Sequence, residues 1–132
     1  MGTPKTVVPV AGLPEPKGVW STVTVAHPGK LVFVSGLLAK DEGGRIVGAG
    51  DISAQTEKVC QNLRQALACA GATLDDIVRV DVYCKDISSF KEIHAVRARY
   101  FPKDPPASTM VQVTEFTDSQ ALIEINAIAV LP

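Results

Sequence analysis

Leu122-Ile123-Glu124-Ile125-Asn126-Ala127-Ile128-Ala129-Val130 is the stretch on which the fold turns. Strand side chains alternate between faces, so Ile123, Ile125, Ala127 and Ala129 line one side of a closing strand. Glu124 and Asn126 fall on the other side, flanked by Leu122 and Ile128. A carboxylate among apolar neighbours is costly to bury unless something binds it. Desolvation also raises a carboxylate's pKa, which is what a general acid or base working near pH 7 requires. From the strand alone two readings stand: a glutamate that does acid–base chemistry, or one exposed or hydrogen-bonded on a half-wet sheet.

Outward from this strand, the preceding segment near Ser108–Glu115 predicts another strand after Pro105-Pro106. Upstream, Ser53 to Ala70 reads as an amphipathic helix, with Val59, Leu63, Ala66, Leu67 and Ala70 recurring on one face. Asp51 or Ser53 can cap its start, and Gly71 is a natural stop. Ile77 to Cys84 predicts a strand with Val78, Val80, Val82 and Cys84 on one face and Arg79, Asp81 and Tyr83 on the other. A second helix is expected from Ser89-Phe90-Lys91-Glu92, an S-x-x-E capping box, to about Phe101, stopping before Pro102. Nearer the N-terminus, Val19–Val25 suits a strand, His27-Pro28-Gly29-Lys30 a turn, and Leu31–Val34 a short strand ending at Ser35-Gly36. Arg45-Ile46-Val47 predicts a further short strand. Residues 1–16 carry four prolines and no period, and are expected to form an irregular arm before a domain spanning 17–132. Strands, helix, strand, helix, strands in that order argue for an α+β domain, a mixed sheet with both helices on one face.

The chain's 132 residues suffice for one core and not for two. A formal net charge of −1, with Lys and Arg scattered, gives no electrostatic reason to expect nucleic acid or an anionic membrane as partner. The three cysteines, Cys60, Cys69 and Cys84, lack zinc or C-x-x-C spacing and read as buried free thiols. With two widely spaced histidines no metal site is expected, and no cofactor is called for. No signal peptide or membrane-length apolar run is visible, so a cytoplasmic protein is expected.

Several of these segments, in order, resemble the Rid (reactive intermediate deaminase, or YjgF) family: Leu31-Val32-Phe33-Val34-Ser35-Gly36, then Gly50-Asp51-Ile52-Ser53-Ala54-Gln55-Thr56-Glu57-Lys58-Val59, then Asn62-Leu63 and Ala70-Gly71-Ala72. Pro105-Pro106-Ala107-Ser108-Thr109-Met110-Val111-Gln112-Val113 and the closing strand complete the resemblance, which runs from about Gly18 to Val130. It implies a chorismate-mutase-like fold, assembled as a homotrimer with ligand clefts between subunits. The face carrying Arg79, Asp81 and Tyr83 would line the trimer interface. It also implies hydrolysis of enamines and imines to ketoacids and ammonia. In that pattern Glu124 matches the glutamate that positions water, and Gly36 matches the glycine after the second strand. Trp20 falls near an aromatic position, and backbone groups near Ser35-Gly36 and Thr109-Met110 complete the pocket.

One position departs from the family. Where the resemblance implies an arginine holding the substrate carboxylate, this chain has Ser108. A neutral hydroxyl in place of a bidentate cation forfeits roughly 1.5–3 kcal/mol of charge-assisted contact. Efficient turnover of iminoacids derived from serine or threonine is therefore not expected. His94 and Arg97, three residues apart on one helix face, stand where many relatives have asparagine and tyrosine. Either can stand in for the missing cation, or Arg97, like Arg99, is a solvated helix charge. Trp20 fits ligand stacking and interface packing equally, while Asp51, Gln55 and Asn62 read as structural. The expected function is a deaminase of an enamine or imine, with 2-aminomuconate as an example. The alternative is a non-catalytic trimer that binds a small metabolite or acts as a chaperone. A ribonuclease finds no basic surface or aromatic platform to support it.

Overall fold

The computed structural model describes residues 5–132. Its strands are β1 (Lys5–Val8), β2 (Val23–Ala26), β3 (Lys30–Leu37), β4 (Ile77–Cys84), β5 (Ala107–Gln112) and β6 (Ile123–Leu131). Helix α1 spans Ile52–Cys69 and α2 spans Phe90–Tyr100. The main sheet has the order β3-β6-β4-β5, in which β4 and β5 run parallel and the other pairs antiparallel. β1 and β2 form a separate two-stranded antiparallel ribbon.

The closing strand lies at the centre of the sheet, between β3 and β4. Its alternation holds: Ile123, Ile125, Ala127 and Ala129 are buried, while Glu124, Asn126 and Ile128 are half-buried on the opposite face. Val59, Leu63 and Leu67 of α1 and Ile93 of α2 join Val80, Val82 and the buried β6 residues in one core. Both helices thus cover one face, and the fold is the expected α+β arrangement. Asp51 caps α1 by accepting from Ala54 N at 3.0 Å. Gly71 follows the helix at φ +82°, a conformation that a side chain would strain. Gln55, fully buried, donates to Gly48 O and Gln120 O and accepts from Leu122 N, tying the start of α1 to the entry of β6.

Several local expectations are corrected. The arm is not irregular throughout, because Lys5–Val8 pairs with β2; residues 1–4 lie outside the described residues. What holds β1 is partly the Lys5 amine, which is buried and donates to Asp75 O at 2.9 Å, and no sequence period announces that. The strand expected over Val19–Val25 begins only at Val23, since Ser21 instead bridges to Ala107. Arg45-Ile46-Val47 makes a single bridge, Lys40 to Ile46, rather than a strand. The capping box at Ser89 is not made: a 3-10 turn over Ile87–Ser89 precedes α2, capped by Asp86, which accepts from Ser88 N. In β4 an irregularity between Ile77 and Arg79 puts Ile77, rather than Val78, in the core.

Candidate functional site

The sequence-predicted residues gather into two patches of the chain. The first is centred on Glu124, which lies opposite Tyr83 on the helix-free face of the sheet. Beside it β3 loses its regular register between Val34 and Leu37, so that Ser35 and Gly36 bulge out of the ladder. A Cβ at Gly36 would overlap Oε2 of Glu124. The glycine is therefore what gives the carboxylate its place. Glu124 and Gly36 border a cavity of about 570 Å³ whose other walls include Lys40, Asn62, Cys69 and Thr117. Asn62 shapes that wall by donating to Leu38 O and Lys40 O at 3.1 and 2.9 Å.

The second patch lies at the β5 edge, on the helix-covered side. Ser108 and Met110 pair with the core residues Val80 and Val82, so they share the core-facing side. Thr109 pairs with Asp81 and faces the other way, where its hydroxyl accepts from Arg79 Nη2 at 3.0 Å. Its side chain thus lies on the opposite face of β5 from Ser108 and Met110. Trp20, His94, Arg97, Ser108 and Met110 surround a cavity of about 260 Å³. Trp20 is held there because the adjacent Ser21 donates through its N–H to Pro106 O and through Oγ to Pro105 O.

Arg97 is not a solvated helix charge. It occupies the buried face of α2 with Ile93 and Val96, and is 1% exposed. Its Nη2 donates to Val19 O and to Ser108 Oγ, both at 3.2 Å. A guanidinium thus stands directly behind the hydroxyl that replaces the expected arginine. Among the described residues its Nε–H has no partner. Burial lowers the pKa to about 10, with Cys60 acting in the opposite direction. Burial also pushes the Cys60 thiol up to about 12, so at neutral pH it stays protonated and supplies no countercharge. Arg97 is a desolvated cation without a carboxylate partner among the described residues. Arg99, two residues on, points outward and pairs with Glu57.

His94, three residues before Arg97, makes no hydrogen bond to Ser108; its Nδ1 lies 2.8 Å from Phe90 O. Of the thiols, Cys60 and Cys84 are buried as expected, but Cys69 is exposed near the end of α1. The Lys40, Cys69 and Thr117 walls of the Glu124 cavity were not singled out by sequence reasoning, and no local pattern marks them. Arg97 did carry a signal: it falls four residues after Ile93, on the stripe that builds the core. Among the described residues no group of three His, Cys, Asp or Glu side chains is close enough to hold a metal ion. Among the described residues no helix is long and apolar enough to cross a membrane.

The family model described as Endoribonuclease L-PSP matches residues 11–131. The chain belongs to the Rid (YjgF/RutC) family. Among Rid relatives it is 38% identical over 126 residues to a RutC family protein of Pyrococcus abyssi, covering 95% of this chain and 96% of that one. It is 35% identical over 126 residues to the 3-aminoacrylate deaminase RutC of Acinetobacter baylyi, covering 96% and 98%. In three dimensions it is similar to YyfB, a Rid-family protein of Yersinia pestis. The TM-score is 0.90 at 30% identity, with 97% of this chain and 99% of that chain covered.

Proposed function

We propose that this chain is a hydrolytic deaminase of a small enamine or imine bearing an acid group, working at a cleft completed by a second copy of itself. The observation that carries this reading is the buried guanidinium of Arg97 behind Ser108. It restores a cation beside the place where the substitution removed one, and it has no internal anion among the described residues. The A. baylyi relative, named for deamination of an enamine acid, supports the reaction class.

Glu124 lies in a different cavity of the same chain, so one subunit does not supply both halves. The helix-free face carries Leu31 at 61% and Phe33 at 71% exposure, an apolar surface suited to being covered by further copies. In a homotrimer, Arg97 and Ser108 of one subunit would hold the acid group against Glu124 and Gly36 of the next. Trp20 would stack on the ligand, and the Met110 and Gly36 N–H groups would oppose developing negative charge.

In this scheme the protonated Glu124 gives its proton to the enamine carbon, leaving an iminium ion. Water adds to the iminium carbon as its proton passes to the Glu124 carboxylate. The same proton moves to nitrogen, the C–N bond breaks to release ammonia, and loss of the hydroxyl proton leaves the carbonyl. Both 3-aminoacrylate and the longer 2-aminomuconate suit the pocket better than iminoacids from serine or threonine, which rely on the arginine that Ser108 replaces.

The test is ammonia release from freshly generated substrates of all three kinds, with Glu124→Gln as control and the oligomeric state measured alongside. Glu124-dependent turnover of the enamine acids is expected. No turnover of any substrate by an intact oligomer that still binds acids would favour the alternative, a metabolite-binding protein. Salt-sensitive RNA cleavage would instead bring forward the activity in the family model's description, for which a net charge of −1 gives little support.

A further inference from the structure

We infer that the chain carries a second ligand site, apart from both patches above, which takes a small monocarboxylate with an apolar body. The site is a groove of about 600 Å³ bounded by α1, the end of α2 and the 3-10 turn Leu74–Asp76. None of its lining residues borders the Glu124 cavity or the Arg97 cavity. Its walls come from the helices and that turn rather than from the sheet, so an assembly through the helix-free face leaves it open.

Three of the four charged groups in the wall already have an opposite charge beside them. Glu57 accepts from the Tyr100 hydroxyl and from Arg99 Nη2, the latter at 2.5 Å, so both its oxygens are taken. Burial and the Glu57 acceptor hold the Tyr100 phenol above its ordinary pKa, which keeps it a donor at neutral pH. Asp75 has the buried Lys5 amine behind it, donating to the Asp75 carbonyl oxygen at 2.9 Å. Arg64 differs. Its guanidinium carbon lies 5.2 Å from the centre of the Tyr100 ring, and among the described residues no carboxylate is within ion-pair distance of it. A ring fixed by Glu57 thus holds a cation that lacks an anion.

The cation–π contact also restrains a side chain that would otherwise lose its freedom on meeting a ligand. The planar fork of a guanidinium matches a carboxylate in two hydrogen bonds. The rest of the groove is apolar: Ala72 and Leu74 are buried, and Ala68 and Pro102 stand exposed at its sides. A dianion would meet the Glu57 and Asp75 carboxylates in the same wall with only one unpaired cation to hold it. A single acid group on an apolar body suits every part of the lining, and a groove of this volume admits a body of aryl size.

3-Phenylpropanoate is the probe. 3-Phenylpropan-1-ol lacks its charge, and propanoate lacks its apolar body. The ring resonances of Tyr100, one of two tyrosines in the chain, report the groove, while the indole N–H of Trp20, the single tryptophan, reports the Arg97 cavity. The aryl acid is expected to shift Tyr100 and to bind about five-fold more tightly than the alcohol, the discrimination an exposed ion pair gives. Against propanoate its advantage should be about ten-fold or more, from burial of the ring. Arg64→Gln should erase the difference between acid and alcohol. Ala68→Phe, at an exposed helix position, should fill the groove and abolish the Tyr100 response to both, with the fold retained by circular dichroism.

No saturable response at Tyr100, equal affinity for acid and alcohol, or a preference that survives Arg64→Gln would each overturn the inference. So would binding at Tyr100 that Ala68→Phe leaves unchanged. A shift at Trp20 alone would place the acid in the Arg97 cavity and remove the second site.

Discussion

The two patches solve opposite electrostatic problems. Glu124 stands half-buried on the helix-free face, its place made by the absence of a side chain at Gly36. Arg97 stands fully inside the helix-covered layer, tied to Val19 O and Ser108 Oγ with no internal anion among the described residues. An acid on an open face waits for something to desolvate it, whereas a buried cation waits for something to neutralise it. A ligand carrying an anion into a cleft between subunits would do both.

The sharpest way to break this comparison is to remove the acid alone. Glu124→Gln should lower kcat for an enamine acid by about 10²- to 10⁴-fold, the usual contribution of a positioned acid–base group, with acid binding at Trp20 unchanged. Loss of acid binding as well would mean that the patches are not separate in role. Next in size, Gly36→Ala places a Cβ where Oε2 of Glu124 lies. With the fold retained by circular dichroism, kcat should fall about 10²-fold, the cost of roughly an ångström of misplacement.

Arg97→Met tests the other patch in two directions at once. Acid affinity should fall about 10- to 150-fold with the loss of a charge-assisted contact. Urea unfolding should show the variant more stable by about 1–4 kcal/mol, because an uncompensated buried charge is replaced by an apolar side chain of similar length. The pH dependence follows from the sign of the shift. The folded-state pKa, about 10, lies below the ordinary guanidinium value, so the charge penalises the fold wherever both states are protonated. The gap between variant and wild type should be constant from roughly pH 5 to 9, and should narrow as pH climbs through about 10. A gap that grew with pH there would refute the desolvated-cation description. The smallest effect is expected for Arg99→Ala. The Arg99 side chain is 65% exposed and makes a surface ion pair with Glu57, so stability should change by less than about 1 kcal/mol.

Legibility in the sequence followed the same division. The alternation of Ile123 to Ala129 and the helical spacing of Val59, Leu63 and Leu67 are burial patterns, and burial is what sets those elements; both were readable. Asp51 was readable because a helix start needs an acceptor at that position. β1 was not, since its support comes from a lysine amine reaching a carbonyl seventy residues away. Ser89 misled because a capping box specifies residue types but not the preceding turn, and Asp86 took over the local hydrogen bonds. The site was half legible. Glu124 stands out as a charge in an apolar strand, while Arg97 hides among helix charges unless its register with Ile93 and Val96 is followed. That Ser108 and Arg97 touch is a tertiary fact, eleven residues apart in the chain and on different elements.

Gln55 has a consequence for how this fold can diversify. Its amide clasps Gln120 O and Leu122 N, just where the chain enters the strand that bears Glu124. The segment between Val113 and Ser119 is therefore anchored at its downstream end by a group belonging to α1. Insertions or deletions there would redraw the Thr117 side of the cavity without transmitting a shift to Glu124. A chain built in this way can exchange one ligand for another over evolutionary time by rewriting a loop, while Glu124 keeps its address.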